Sequence, residues 1–314
     1  MMLARAGGGH LAVSGNDTDC RLPVLHHRVH AKCRSCPRRV GKDAMEPGFA
    51  ASEIDTSRPH PARMYDAYLG GKDNYAVDRE AVRQVLRVFP EVRAMARANR
   101  AVMQRAVRFL AGEAGIRQFI DIGTGIPSAG NVHEVAGQIA PGARVVYVDN
   151  DPIVHVHANA LLTGSGATAT VLADLRAPGA ILGHPKVREL IDFSEPVALL
   201  LIAVAHFLTD EEDPSGIIAV LRDALPAGSY LALSHGTADF HPPGTAGQAA
   251  AGYGKAAAPL VLRAHARVSA FFDGFELVEP GLVQAPLWRP DGRPPRPKDL
   301  AKIGIYAGVG HKST

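Results

Sequence analysis

The chain has 314 residues, 46% of them apolar, with a mean hydropathy of zero, which suits a folded protein with a sizeable core and excludes collagen, coiled coil and wholesale disorder. Thirty-four basic residues against 31 acidic leave a formal charge of +3, so no global field draws the chain to nucleic acid or membrane surface, and partners must be chosen by a local site. Three cysteines cannot build a disulfide framework, which points to a reducing, cytoplasmic setting, and no run of eighteen apolar residues is present to span a membrane.

Residues 1–54 mix Gly7-Gly8-Gly9, scattered histidines and basic pairs with few periodic apolar positions. Such a segment cannot bury enough surface to offset chain entropy and is expected to be a disordered tail. It lacks the apolar core of a secretory signal, so export is not expected. Cys20, His26, His27, His30, Cys33 and Cys36 lie within it, but a single CxxC without a second regular ligand pair argues against structural zinc. Met45 is a candidate start of the protein. From 55 to 115 the pattern is helical and reads as a cap. Asp55-Thr-Ser-Arg58 offers a polar start to a helix over Ala62–Leu69, which Gly70-Gly71 breaks. Val82, Val85, Leu86 and Phe89 then recur at helical spacing, and Pro90 opens another helix with Val92, Met95, Val102, Met103, Val107 and Leu110 on one stripe. Both stripes read as core. The linker Gly70-Gly-Lys-Asp-Asn-Tyr75 gathers two glycines, a cation, an acid, an amide and an aromatic, and on these residues alone it reads equally as an exposed turn or a functional loop.

Residues 116–314 alternate between strand and helix. Apolar runs at 118–122, 143–148, 169–172, 197–204 and 229–233 predict a parallel sheet covered by helices on both faces. A helix over 257–272, a strand at 275–278 and a last strand at 303–309 predict a hairpin-like finish with one antiparallel strand.

The chemistry begins at the first of these strands. Phe119-Ile-Asp-Ile-Gly-Thr-Gly-Ile-Pro127 places Asp121 at the strand end, followed by Gly123, Thr124 and Gly125. Glycines let a ligand approach the backbone closely. A dinucleotide turn wants a third glycine where Ser128 stands, and a carboxylate at Asp121 repels pyrophosphate but attracts an ammonium group. The second strand ends at Asp149-Asn150, where an acid suits the two hydroxyls of a ribose. The third ends at Asp174-Leu175, an acid for an exocyclic amine and an apolar side chain for an adenine ring. Any one of these acids alone reads as a helix cap or turn. Three at successive strand ends read as a site, because open α/β sheets bind ligands at that edge.

Asp121-Ile-Gly-Thr-Gly125, Asp149 and Asp174, with Gly274-Phe-Glu-Leu-Val-Glu-Pro-Gly281, resemble class I S-adenosylmethionine-dependent methyltransferases over residues 115–310. More narrowly, Arg63-Met-Tyr-Asp-Ala-Tyr-Leu-Gly-Gly-Lys-Asp-Asn-Tyr75, Asp121–Asn131 including Pro127, and Ala205-His-Phe-Leu208 are similar to an actinobacterial S-adenosyl methyltransferase family once catalogued as a domain of unknown function. The resemblance implies a Rossmann-like sheet of seven strands, S-adenosylmethionine as cofactor, and a helical lid. Under such a lid Tyr65, Tyr68 and Tyr75 supply walls, Gly71 backbone freedom, and Lys72 or Arg63 a cation for the methionine carboxylate. No methyl acceptor is implied.

Methyl transfer from a sulfonium needs an aligned nucleophile more than a metal. A base helps a hydroxyl or protonated amine, and His206, just beyond the fourth strand, is the candidate, with His235 behind it; either reads equally as a hydrogen-bonded core histidine. A small-molecule acceptor is the leading expectation, since no basic stripe serves nucleic acid. The alternatives are a nicotinamide-dependent (NAD(P)) oxidoreductase, disfavoured by Asp121 and Ser128, and a non-catalytic S-adenosylmethionine-binding regulator.

Overall fold

The computed structural model describes residues 55–162, 167–242, 244, 253 and 256–313; the expectations for the tail and its cysteines lie outside these residues. Three helices come first. In α1 (Pro61–Leu69) the start differs from expectation: the His60 ring, five residues after Asp55, accepts the Ala62 N–H at 3.3 Å, and Gly70 ends the helix with φ 86°. Asp55 instead closes a short turn by accepting from the Ser57 N–H and hydroxyl. Helix α2 (Ala76–Val88) follows, its first turn held by Asp78, which accepts the Tyr75 N–H. Helix α3 (Val92–Gly112) is the longest of the three and begins two residues after Pro90.

The sheet contains β1 (Gln118–Ile122), β2 (Arg144–Asp149), β3 (Thr168–Leu172), β4 (Ala198–Ile202), β5 (Tyr230–Gly236), β6 (Glu276–Leu277), β7 (Val283–Gln284) and β8 (Ile305–His311). The order is β3-β2-β1-β4-β5-β8-β6, parallel through β5 and antiparallel where β8 meets β5. Both β6 and β7 pair with the remaining edge of β8, at Gly310–His311 and Tyr306–Ala307 respectively. The sheet therefore has seven positions across, with the outermost strand interrupted between Leu277 and Val283. Helices α4 (Val132–Ile139), α5 (Pro152–Leu162), α6 (Pro178–Gly183), α7 (Pro185–Leu190) and α8 (Pro214–Ala224) connect the parallel strands. Of the helix expected over 257–272 only α9 (His265–Ser269) and one further turn to Phe272 form. The preceding residues run as a strap whose Val261 and Arg263 N–H groups donate to the His206 and Gly236 carbonyls.

Side chains of a strand alternate between faces, and the core follows that period. Ile120, Ile122, Val146, Val148, Leu199 and Leu201 pack beneath α6, α7 and α8. Phe119, Val145, Tyr147, Ala198 and Leu200 pack against α3 and α4 residues such as Val107, Leu110 and Val135. With both faces covered, the strands are near-continuous apolar runs. The stripe on α3 is divided: Val102, Val107 and Leu110 are fully in this core, whereas Val92 and Met95 near its start face a cavity. Among the described residues no helix is long and apolar enough to cross a membrane.

Candidate functional site

Strand order reverses beside β1, which has β2 on one side and β4 on the other, and such a switch opens a crevice at the carboxyl edge. A cavity of about 600 Å³ occupies it, under α1, α2 and α3. Asp121, Gly123, Thr124, Gly125, Asp149 and Asn150 form one stretch of its wall, and Asp174, Leu175 and His206 the next. Tyr68 joins from α1, its hydroxyl accepting from the Tyr253 hydroxyl at 3.3 Å.

The β1 turn is built on backbone geometry. Gly123 and Gly125 have φ of 75° and 67°, the left-handed region that glycine occupies without strain. A Cβ at Gly123 would sit 2.4 Å from Val204 Cγ2, whereas one at Gly125 meets nothing within 4 Å. Gly123→Ala is therefore expected to cost about 2 to 5 kcal/mol of stability, from left-handed strain and overpacking together. Gly125→Ala carries only the strain, about 1 to 2 kcal/mol. Denaturant titration of both variants checks this, and equal losses would remove Val204 from the explanation.

The three acids differ in environment. Asp121 is buried and accepts from Thr124 Oγ1 at 3.0 Å; burial pushes its carboxyl up to about 6. Asp149 is also buried. One of its oxygens accepts the Gly125 N–H and the other the Asp151 N–H, each at 2.9 Å, so it ties the end of β2 to the β1 turn. Burial raises its carboxyl too, against those two N–H bonds. Asp174 is half-exposed: burial raises it, but the Arg176 N–H, the Asn150 amide at 2.8 Å and the Arg176 charge together hold it below the usual carboxylate range.

Hydrogen bonds decide what the histidines can do. His206 Nδ1 accepts the Gly236 N–H at 3.2 Å, so that nitrogen carries a lone pair and the neutral ring keeps its proton on Nε2. Burial, with His235 and Arg263 nearby, pushes its pKa well below the ordinary value. The ring can donate to a ligand, and to act as a base it has to give up the Gly236 bond. His235 Nδ1 lies 2.7 Å from the Gly236 carbonyl and its Nε2 3.2 Å from Arg263 Nη1, so both nitrogens are engaged away from the cavity.

Arg63, Gly71, Lys72 and Tyr75 are not on the cavity wall. Arg63 is 2% exposed, and its nitrogens donate to the Asp78 carboxylate and to the Asp55 and Arg58 carbonyls. The loop 70–75 is organised by Asp66, which accepts from the Asp73 N–H and the Asn74 amide; a Cβ at Gly71 would overlap the Asp66 carboxylate. Lys72 and Tyr75 are exposed, with the Arg63 guanidinium 5.4 Å from the Tyr75 ring centre. Phe89 and Met95, which helical spacing assigns to core, are wall residues, as are Arg100, Tyr253 and His241, which no local pattern marks. His241 packs on Phe89 with ring centres 5.3 Å apart, and both its ring nitrogens are buried without a partner.

The residues suit S-adenosylmethionine on these observations: two buried carboxylates face a cavity of small-ligand size beside two left-handed glycines. The profile of a family described as S-adenosyl methyltransferase matches residues 47–313. Among solved structures, a DUF574 family protein from Streptomyces avermitilis MA-4680 is 48% identical with a TM-score of 0.79, over 82% of this chain and 99% of that one. A Thermobifida fusca YX protein described as a candidate methyltransferase is 42% identical with a TM-score of 0.79, over 83% of this chain and 98% of that one. No curated protein matches the chain. These findings set aside the nicotinamide reading and fix methyl transfer, with S-adenosylmethionine as cofactor, as the reaction: the chain belongs to the S-adenosyl methyltransferase family.

Proposed function

We propose that the enzyme methylates a small molecule enclosed between a cap (residues 55–115) and a core (residues 116–314). The observation that carries this reading is the far side of the cavity of about 600 Å³, where Tyr65, Phe89, Met95, Phe207, Tyr253 and Leu260 present apolar and aromatic surface. Such walls enclose a small ligand, whereas a duplex calls for an open stripe of cations. The scarcity of cysteine supports a cytoplasmic setting.

The cofactor supplies an electrophilic methyl group on a sulfonium whose departure needs no further activation. The protein binds, aligns and excludes water. Asp149 accepts the ribose hydroxyls through the lone pairs that the Gly125 and Asp151 N–H groups leave free. Asn150, Asp174 and Leu175 hold the adenine edge and face, and the turn Gly123-Thr124-Gly125 lets the chain pass close to the amino acid end, where Asp121 takes the ammonium. His206 would donate from Nε2 to an acceptor oxygen, which keeps a second lone pair for the methyl group; an amine nitrogen has only one and could not be held this way. His241, on the same wall, has both ring nitrogens buried and unpartnered, and would have to turn toward the cavity to take up the proton that the acceptor releases. Arg63, Gly71 and Tyr75 keep the cap in shape through their contacts with Asp78 and Asp66.

The test uses the full chain, methyl-labelled S-adenosylmethionine and an actinobacterial cell extract separated into small-molecule, protein and nucleic-acid fractions. Label is expected in the small-molecule fraction. Label in protein or nucleic acid, or no transfer by a chain that binds the cofactor, would overturn the reading.

A further inference from the structure

We propose that Arg100, in the middle of α3, receives the carboxylate of the cofactor's methionine end and with Asp121 forms a two-charge clamp for a zwitterionic tail. The assignment rests on the S-adenosylmethionine reading of the cavity and adds a residue to it.

Three observations meet at this side chain. The first is position. Asp121 lies two residues after Phe119, so both project from the same face of the sheet, the face on which Phe119 packs against α3. Arg100 belongs to that helix, and both Arg100 and Asp121 line the cavity. The second is hydrogen bonding. Nη2 is anchored, donating to the Ser128 carbonyl at 2.8 Å and to Asn131 Oδ1 at 2.6 Å, with a longer contact to the Ala129 carbonyl at 3.4 Å. Nε is buried with no partner, and no described residue accepts from Nη1. One nitrogen thus holds the guanidinium in place, while Nε is buried without an acceptor and Nη1 has none among the described residues. A half-buried donor set left in that state is unfavourable until an acceptor arrives.

The third observation is charge. No described carboxylate lies within ion-pair distance of Arg100, although its field reaches Asp121 and Tyr147. The other cations near the site are engaged or remote. Arg176 pairs with Glu212 and Asp174, Arg63 with Asp78, and Lys72 is exposed off the wall. An unpaired guanidinium and an unpaired buried carboxylate facing one cavity match a ligand end that carries both opposite charges, and arginine is the side chain suited to a carboxylate.

The test is calorimetric and needs no methyl acceptor. Three ligands are titrated into the full chain: S-adenosylmethionine; its decarboxylated form, which keeps the sulfonium and ammonium; and 5′-methylthioadenosine, which lacks the whole amino acid tail. In Arg100→Gln the affinity for S-adenosylmethionine is expected to fall about 10- to 100-fold, the size of a charge-assisted bond to a carboxylate. Affinity for the decarboxylated form should hold or rise, and that for 5′-methylthioadenosine should hold. Equal weakening of all three would mean that Arg100 only braces the Ser128–Asn131 loop, and no change in any would mean that it does not touch the ligand; either overturns the assignment. So would a carboxylate-selective loss in Lys72→Ala with none in Arg100→Gln. Failure of the wild-type chain to bind S-adenosylmethionine at all would remove the cofactor reading itself, a result readily told apart from the others.

Discussion

Asp149→Ala is expected to weaken binding of S-adenosylmethionine by about 30- to 1000-fold, equivalent to about 2 to 4 kcal/mol from charge-assisted hydrogen bonds to the ribose. The carboxylate has a second task that shapes this expectation. By accepting the Gly125 and Asp151 N–H groups it fixes the β1 turn against the end of β2, so its removal loosens the cradle as well as the ribose contact. Asp149→Asn separates the two: the amide retains one acceptor oxygen, and its loss of affinity should be smaller. Stability should change little in either variant, because losing two backbone bonds is offset by relief of a carboxylate that burial disfavours in its charged form. A folded Asp149→Ala chain with undiminished affinity would dismiss the ribose assignment.

The sheet-edge half of this site is legible in the sequence for a physical reason. Strands buried on both faces are apolar runs, so an acid at or just past the end of one is conspicuous: Asp121 is the last but one residue of β1, Asp149 the last of β2, and Asp174 stands two residues beyond β3. The parallel sheet then gathers strand ends that are far apart in sequence, as the β1–β2 and β2–β3 pairings do here. The cap half is illegible for the opposite reason. Helix α3 carries Arg93, Arg97, Arg100, Arg105 and Arg108 at spacings of three to five, which reads as a solvated face. Yet Arg105 is 9% exposed and donates to the Trp288 and Ala285 carbonyls, and Arg100 lines the cavity. Nothing local distinguishes these from Arg93, which is exposed; packing against distant segments does. Apolar positions carry the same ambiguity. Met95 and Val107 share a stripe, but the stripe runs from the cavity onto the sheet, and periodicity reports a face without reporting what it meets.

The linker 70–75 shows how chemically rich residues can be consumed by local structure. Its glycine, amide and acid suggested a ligand loop, but Asp66, one helical turn earlier, engages the Asp73 N–H and the Asn74 amide, and Gly71 is the residue small enough to lie against that carboxylate. Asp66 lies inside α1 and is buried, so nothing in the sequence of the linker itself shows what organises it. Arg63 follows the same logic, since Asp78 and two carbonyls occupy its guanidinium.

Cofactor affinity is expected to fall about tenfold per pH unit below pH 6, and Asp121 is the group responsible. Burial raises its carboxyl from 3.8 to about 6 in the folded chain. A raised carboxyl favours the protonated form, so what this group adds to stability is present in full below pH 3.8 and is lost as pH rises through about 6. The empty protein therefore carries a disfavoured anion at neutral pH. The ammonium of the cofactor reverses the preference: it interacts with the ionised form, lowers the carboxyl again, and drives release of a proton wherever the carboxyl was protonated beforehand. Affinity should thus be level above pH 7 and about tenfold weaker at pH 5, with calorimetry in buffers of different ionisation enthalpy registering close to one proton released at pH 5. Two comparisons isolate the cause, because Asp149 is shifted in the same direction. In Asp121→Asn the affinity at pH 7 should drop and the slope below pH 6 should flatten. In the wild-type chain 5′-methylthioadenosine, which has no ammonium, should show no such slope. If Asp121→Asn keeps the full pH dependence, the titrating carboxylate is Asp149 and the ammonium is held elsewhere.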